Sequence, residues 1–135
     1  MHRDKIRAFK NELRNYNYYL SQIVSLTNSI EYCFDRLGGV RGIDPSKEPI
    51  HSPPNKELEY KIRSDIERYE QLKDLTQAKI DYVDEILARM EIDVRMAIKS
   101  VYVEGNHIVK TSEKLFISPT GLHKRMNKAI EKALD

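Results

Sequence analysis

The sequence predicts an all-α protein: a long antiparallel, coiled-coil-like helical hairpin followed by a small C-terminal helix-turn-helix. Two long apolar repeats at helical spacing, separated by a segment rich in Gly and Pro, predict the hairpin. Short apolar stretches between turn signals predict the smaller helices at the C-terminal end. We therefore divide the chain into residues 1–90, with a linker at 38–54, and residues 91–135, the helix-turn-helix unit.

The composition excludes several classes of protein. The 135 residues include 23 Lys and Arg and 21 Asp and Glu, so the net charge is only +2. No apolar run approaches the roughly 20 residues of a membrane span, and no apolar signal segment follows the first residues. The single cysteine, Cys33, has no partner for an internal disulfide. We expect a cytoplasmic protein with no membrane partner.

The first long helix is expected over residues 4–37. Its apolar residues alternate at spacings of three and four, with Thr27 as the polar exception, and neither Gly nor Pro interrupts them. Gly38 and Gly39 supply the expected C-terminal stop. The members of this apolar seam are Ile6, Phe9, Leu13, Tyr16, Leu20, Ile23, Thr27, Ile30, Phe34 and Leu37.

The second long helix is expected over residues 55–90, after the linker. Asn55 is a suitable N-cap, and Glu57 and Glu59 lie in the first turn, where the helix dipole favours acidic side chains. Its apolar stripe contains Leu58, Ile62, Ile66, Tyr69, Leu72, Thr76, Ile80, Val83, Leu87 and Met90.

Three short helices are expected in residues 91–135. The last one runs to Leu134 and begins with Ser118 as N-cap and Pro119 at the first helical position. A Ser hydroxyl accepts a hydrogen bond from a first-turn N–H, and the N–H that Pro lacks would have no partner within the helix there. Residues 106–115, the turn at 116–118 and the final helix have the order of a helix-turn-helix, whose second helix enters the DNA major groove.

The charge distribution agrees with double-stranded DNA as the partner. From Gly105 to Leu134 the chain has six basic residues against two acidic ones, a local charge of +4. The second long helix has seven against nine, a local charge of −2. The positive end of the chain is therefore the end with the recognition geometry.

The candidate DNA-binding residues point away from the apolar face of the last helix, or lie on the helix before it. Thr120, His123, Lys124 and Asn127 are the candidates for base edges; the chemistry of Lys124 suits guanine acceptors and that of Asn127 suits adenine. Lys110 and Lys114 are candidates for phosphate contacts, and Arg125 for a phosphate contact or an acidic partner. The full predicted set is Thr120, Gly121, His123, Lys124, Arg125, Asn127, Lys128, Lys110 and Lys114.

These residues also carry a family resemblance. Residues 101–105, 114–118 and 122–134 resemble region four of bacterial sigma factors, which reads the −35 promoter element in the major groove. Phe116 stands where that family usually has Gly, Ser112 where it has Ala, and Thr111 where it has an aliphatic residue. The chain also lacks the helices that bind the −10 element.

The layout of the whole chain resembles the phage late-transcription regulators of Gram-positive bacteria, the RinA-like and ArpU-like group. Residues 16–23 are similar to their N-terminal Tyr-x-x-Tyr-x-x-x-Ile pattern. In those relatives a Pro often follows the first Tyr, whereas Asn17 stands here and favours one continuous helix. The resemblance implies a phage or prophage transcriptional regulator, with RNA polymerase as a protein partner.

No pattern in the sequence points to catalysis. The four His, at positions 2, 51, 107 and 123, have no metal-ligand spacing, and no activating base is implied for Cys33. Gly38-Gly39-x-x-Gly42 lacks the Lys-Ser/Thr of a phosphate loop. We therefore expect no enzymatic activity, no cofactor and no metal.

Three functions remain open at this point. The first is a DNA-binding regulator that acts as a homodimer, because one helix-turn-helix buries little surface. The second is a phage DNA-packaging oligomer similar to a small terminase subunit, which also joins a helix-turn-helix to an oligomerising coil. The third is a helical inhibitor that binds a host protein.

Overall fold

The structure, a computed structural model, describes residues 2–40 and 55–135, which form helices and no strand. The all-α fold class is therefore confirmed for these residues. None of the described helices is long and apolar enough to cross a membrane. The elements are α1 (His2–Arg14), α2 (Tyr16–Val40), α3 (Lys56–Ala88), α4 (Ile92–Ile98), a π-helical turn (Lys99–Val103), α5 (Ile108–Lys114) and α6 (Pro119–Leu134).

The chain forms two compact units. The head unit consists of Met1–Leu20 and Ala78–Asp135, and the paired-helix unit consists of Ser21–Gln77. This division differs from the one expected at residue 90, because α1 and the end of α3 share a hydrophobic core with α4, α5 and α6. The N-terminal residues thus belong to the unit that contains the predicted DNA-binding helices.

The first long helix is not continuous, contrary to expectation. α1 ends at Arg14, Asn15 forms a turn, and α2 begins at Tyr16. Asn is among the weaker helix formers because its side chain competes for backbone hydrogen bonds. On the N-terminal side of this turn, α1 places Phe9 and Leu13 in the head-unit core.

The expected stop at Gly38 and Gly39 is also wrong. α2 runs through both glycines to Val40, and neither has a positive φ, so they do not form the left-handed cap that ends many helices. The rest of the predicted linker, residues 41–54, lies outside the described residues. At its far end Asn55 Oδ1 accepts a hydrogen bond from the Leu58 N–H at 3.1 Å, which confirms the predicted cap of α3.

In the paired-helix unit, α2 and α3 share a small apolar cluster. It joins the last turns of α2 to the first turns of α3, as the predicted antiparallel pair requires. Phe34 and Leu72 were expected in the seam but are exposed, whereas Cys33, next to the seam, is buried. Two helices alone cover only a narrow strip of each other, so part of a wide apolar stripe stays uncovered. The cluster comprises Cys33, Leu37, Ile62 and Ile66, with Ile30, Leu58 and Tyr69 beside it.

The head unit has the larger core. Leu13 of α1, Val83 of α3, Ile98 of α4 and Met126 of α6 are all fully buried in one cluster. A side-chain hydrogen bond also holds the C-terminal end of α6: Nη1 of Arg89 donates to the Ala133 carbonyl at 2.8 Å. This bond satisfies one of the carbonyls that a helix end leaves without an internal partner.

Candidate nucleic-acid interface

α5 is held by small polar residues on its buried side. Its N-cap is His107, whose Nδ1 accepts a hydrogen bond from the Val109 N–H at 3.2 Å. Ser112 is buried and its hydroxyl donates to the Val109 carbonyl at 2.8 Å. The buried Thr111 hydroxyl lies 3.1 Å from the Ser100 hydroxyl of the π-helical turn. The Ser and Thr at these positions let α5 lie close to its neighbours with their hydroxyls hydrogen-bonded.

The turn between α5 and α6 places one residue in an unfavourable backbone conformation. Phe116 has a φ of 58° and is 97% exposed. The left-handed region costs a residue with a Cβ roughly 1–2 kcal/mol, and glycine adopts it readily. The neighbouring Ile117 turns inward and packs against the head-unit core. The turn therefore keeps a conformation suited to Gly although Phe occupies it.

The start of α6 agrees with the sequence prediction. Ser118 is the N-cap, its Oγ accepts a hydrogen bond from the Gly121 N–H at 3.1 Å, and Pro119 follows in the first turn. A Cβ on Gly121 would lie 2.9 Å from Ser118 Oγ and 3.2 Å from Ile117 Cγ2. Gly121, one of the predicted DNA-binding residues, therefore leaves room for the cap and the turn.

α6 has one buried face and one exposed face. Leu122, Met126, Ile130 and Ala133 are at most 6% exposed and belong to the head-unit core. The polar side chains predicted to face DNA lie on the other side, because residues three and four apart share a face of a helix. The exposed members are Thr120, His123, Lys124 and Lys128 on α6, with Lys110 and Lys114 exposed on α5.

Two predicted residues lie at the edges of this exposed face. Asn127 is half-buried, and its Nδ2 lies 3.2 Å from Nε2 of His123. Its buried Oδ1 has no hydrogen-bond partner among the residues that the structure describes. Arg125 lies on another flank, where its Nη2 is 4.0 Å from Glu91 Oε2. Of the two roles expected for Arg125, the structure shows the acidic partner, at the long end of an exposed ion pair.

A second group of basic residues, which the sequence analysis missed, lies on α1. Arg3, Arg7, Lys10 and Arg14 line a groove together with Asn127 of α6. We call these four residues the α1 basic stripe. Their spacing of four, three and four residues is visible in the sequence, but nothing in the sequence places α1 beside α6.

Outside the interface, one titratable group of the head unit is strongly shifted. The Tyr16 hydroxyl donates to Asp84 Oδ1 at 2.9 Å, and burial together with this carboxylate raises the pKa of Tyr16 to about 12. Because a neutral phenol donates this bond, it ties the start of α2 to the end of α3 at neutral pH.

Neither the metal-ligating side chains of the described residues nor the comparisons with known proteins assign a chemistry to the chain. Within residues 2–40 and 55–135, no group of three or more His, Cys, Asp or Glu side chains is arranged to hold a metal ion. A scan against protein-family models, a search of curated proteins and a search of solved structures each find no significant match.

Proposed function

We propose that the protein is a sequence-specific DNA-binding transcriptional regulator that reads the major groove with α6. The single observation that carries this proposal is the division of α6 into two faces. Its apolar face is buried in the head unit, while Thr120, His123, Lys124 and Lys128 remain exposed. A helix held from behind, with a polar and basic front, has what a recognition helix requires.

The roles of the residues follow from their positions. Thr120, His123 and Lys124 lie in the first two turns of α6, where a recognition helix contacts base edges. Lys110 and Lys114 on α5, with Lys128, supply phosphate contacts that set register and salt dependence. The interaction needs no bond to form or break, so we propose neither a reaction nor a cofactor.

Exposed apolar side chains on the paired-helix unit favour a second copy of the chain as a binding partner. Val24, Tyr32 and Leu75 are each more than 60% exposed, and Val24 and Tyr32 line one groove of this unit. We propose that a second copy of the chain covers these side chains, and that the homodimer presents two recognition helices to DNA. The resemblance to sigma region four and to phage late-transcription regulators adds RNA polymerase as a proposed protein partner and a bacterial cytoplasm as the place of action.

The experiment is a duplex-binding titration by fluorescence anisotropy. We expect Lys124→Ala with Lys128→Ala to weaken binding at least tenfold, because a base contact and a phosphate contact are lost. The lost phosphate contact of Lys128 also removes about 0.9 from the slope of log K against log salt. Lys56→Ala with Lys61→Ala is the matched control, because it removes the same charge from exposed positions of the paired-helix unit. Unchanged affinity of the first variant, with an unchanged circular dichroism spectrum, would contradict the proposal.

The packaging alternative differs in oligomeric state. The exposed apolar side chains of α2 and α3 also suit a closed ring, as in a small terminase-like protein. A mass measurement in solution separates the two: a dimer or a monomer agrees with the regulator, and a ring of eight or more copies agrees with packaging. A helical inhibitor would show no affinity for duplex DNA even at low salt.

A further inference from the structure

The α1 basic stripe follows one side of α1. Arg3, Arg7, Lys10 and Arg14 are spaced four, three and four residues apart, so their side chains share a face of the helix. At a rise of about 1.5 Å per residue the stripe is roughly 16 Å long. Several backbone phosphates fall within this length, because they follow one another every ~3.4 Å of axis along a DNA strand.

The fold fixes this stripe beside α6. The opposite side of α1 places Phe9 and Leu13 in the head-unit core, which also contains Leu122 and Met126 of α6. Across the groove from the stripe stands Asn127, whose amide contacts His123 on the exposed face of α6. The stripe and the proposed recognition face therefore adjoin at the Asn127–His123 pair.

Two of the four cations are already positioned. Lys10 Nζ lies 5.2 Å and Arg14 Cζ 5.5 Å from the centre of the Tyr102 ring, and Arg14 Nη1 donates to Asn11 Oδ1 at 3.1 Å. Tyr102 is buried in the π-helical turn, so its ring is a fixed support for both side chains. Side chains ordered in advance lose less conformational entropy when they bind a ligand.

The acidic residues that the structure describes do not neutralise the charge of the stripe. None of the four side chains forms an ion pair with a residue in 2–40 or 55–135. The carboxylate of Glu12, also on α1, accepts a hydrogen bond from the Tyr19 hydroxyl at 2.8 Å instead. A row of four cations with no acidic partner among the described residues favours an extended anionic ligand.

We propose that the α1 basic stripe binds the phosphates of the DNA backbone beside the major groove that α6 enters. This inference rests on the proposed function, and it adds the N-terminal helix to the DNA-binding surface. Phosphate contacts carry no base sequence, so the stripe sets affinity, orientation and salt dependence, while α6 sets the preference for a site.

The test uses Arg3→Gln with Arg7→Gln in the 135-residue chain. These two residues are exposed and are not the pair held by Tyr102, so the fold should tolerate the change. The probe is a 30-base-pair duplex of random sequence, titrated by anisotropy between 50 and 400 mM NaCl. We expect the magnitude of the slope of log K against log salt to fall by about 1.8, which is about 0.9 for each of two lost phosphate contacts. Extrapolated from equal affinities at 1 M salt, this change corresponds to a roughly 60-fold lower affinity at 0.1 M salt.

Two control variants accompany the test. Arg3→Lys with Arg7→Lys keeps the charge and should keep the slope within about 0.3 of the original, because a phosphate contact needs the charge rather than the guanidinium. Lys56→Gln with Lys61→Gln removes the same charge from the paired-helix unit and should change the affinity less than threefold. Circular dichroism and the thermal midpoint report whether each variant folds.

The outcomes separate this inference from the proposed function. If the original protein binds the duplex and Lys124→Ala with Lys128→Ala weakens it, but Arg3→Gln with Arg7→Gln changes neither slope nor affinity, the stripe does not contact DNA and the inference is overturned alone. The inference is also overturned if Arg3→Gln with Arg7→Gln changes the base sequence selected from a random duplex pool but leaves the slope of log K against log salt unchanged. If the original protein binds no duplex, the proposed function fails and the inference fails with it.

Discussion

Leu13 and Leu20 stand seven residues apart, at the same position of the apolar repeat, so the sequence treats them as equivalent. The structure does not: Leu13 is 0% exposed in the head-unit core, whereas Leu20 is 43% exposed. We predict that Leu13→Ala destabilises the protein far more than Leu20→Ala. Both substitutions remove the same atoms from a helix, so the difference reports only the surroundings.

The magnitude follows from these exposures. Truncating a fully buried leucine loses about 0.8 kcal/mol for each of three buried carbons and adds a cavity term, so we expect a cost of about 3–4 kcal/mol for Leu13→Ala. At Leu20 the side chain is only partly removed from water and leaves no closed cavity, so we expect about 1 kcal/mol.

The assay is urea unfolding followed by circular dichroism at 222 nm. Two protein concentrations, tenfold apart, separate the stability of one chain from that of an oligomer, since only the latter depends on concentration. Equal costs for the two variants, to within about 1 kcal/mol at both concentrations, would show that α1 does not pack into the head-unit core.

Three further predictions concern the head unit. Phe116→Gly should stabilise the protein by about 0.5–1 kcal/mol, because the relief of left-handed strain exceeds the entropy that glycine adds to the unfolded chain. The exposed Phe116 ring makes no buried contact that would be lost, so a lower thermal midpoint would contradict this. Ser118→Ala should lower the free energy of unfolding by about 1 kcal/mol, because the N-cap bond is lost. Gly121→Ala should destabilise that variant less than the original chain, because the clash with Ser118 Oγ is gone; additive losses in the double-mutant cycle would refute the clash. The pKa of Tyr16 is raised in the folded state, so its contribution to stability is complete below pH 10 and is lost as the pH rises through about 12; ultraviolet titration of Tyr16→Phe should lack one late-titrating phenol, and an unchanged titration would refute this.

The local features of the candidate site were predictable from the sequence because short-range interactions determine them. The bounds of α6, its Ser118 cap and the position of Pro119 depend on residues within one turn of each other. The side chains that α6 exposes follow from its 3.6-residue period once Leu122, Met126 and Ile130 are taken as core.

The partner of α1 was not predictable in the same way. The apolar repeat from Ile6 to Leu37 is equally compatible with one long hairpin helix and with two helices in different surroundings. The turn at Asn15 and the continuation of α2 through Gly38 depend on which packing gives the lower total free energy. Intrinsic helix propensities differ by less than about 1 kcal/mol per residue, so tertiary contacts override them.

The sequence by itself determined the helical class, the cap of α6 and the charge of its exposed face, because periodicity, capping and charge are properties of neighbouring residues. Only the tertiary structure decided that Phe9 and Leu13 join the core behind α6 and that Arg3 and Arg7 line a groove beside it. The reason is that residues more than a hundred positions apart come together only when they share a core that excludes water. A repeating apolar pattern indicates that one face of a helix is buried, but it does not identify the element that covers this face.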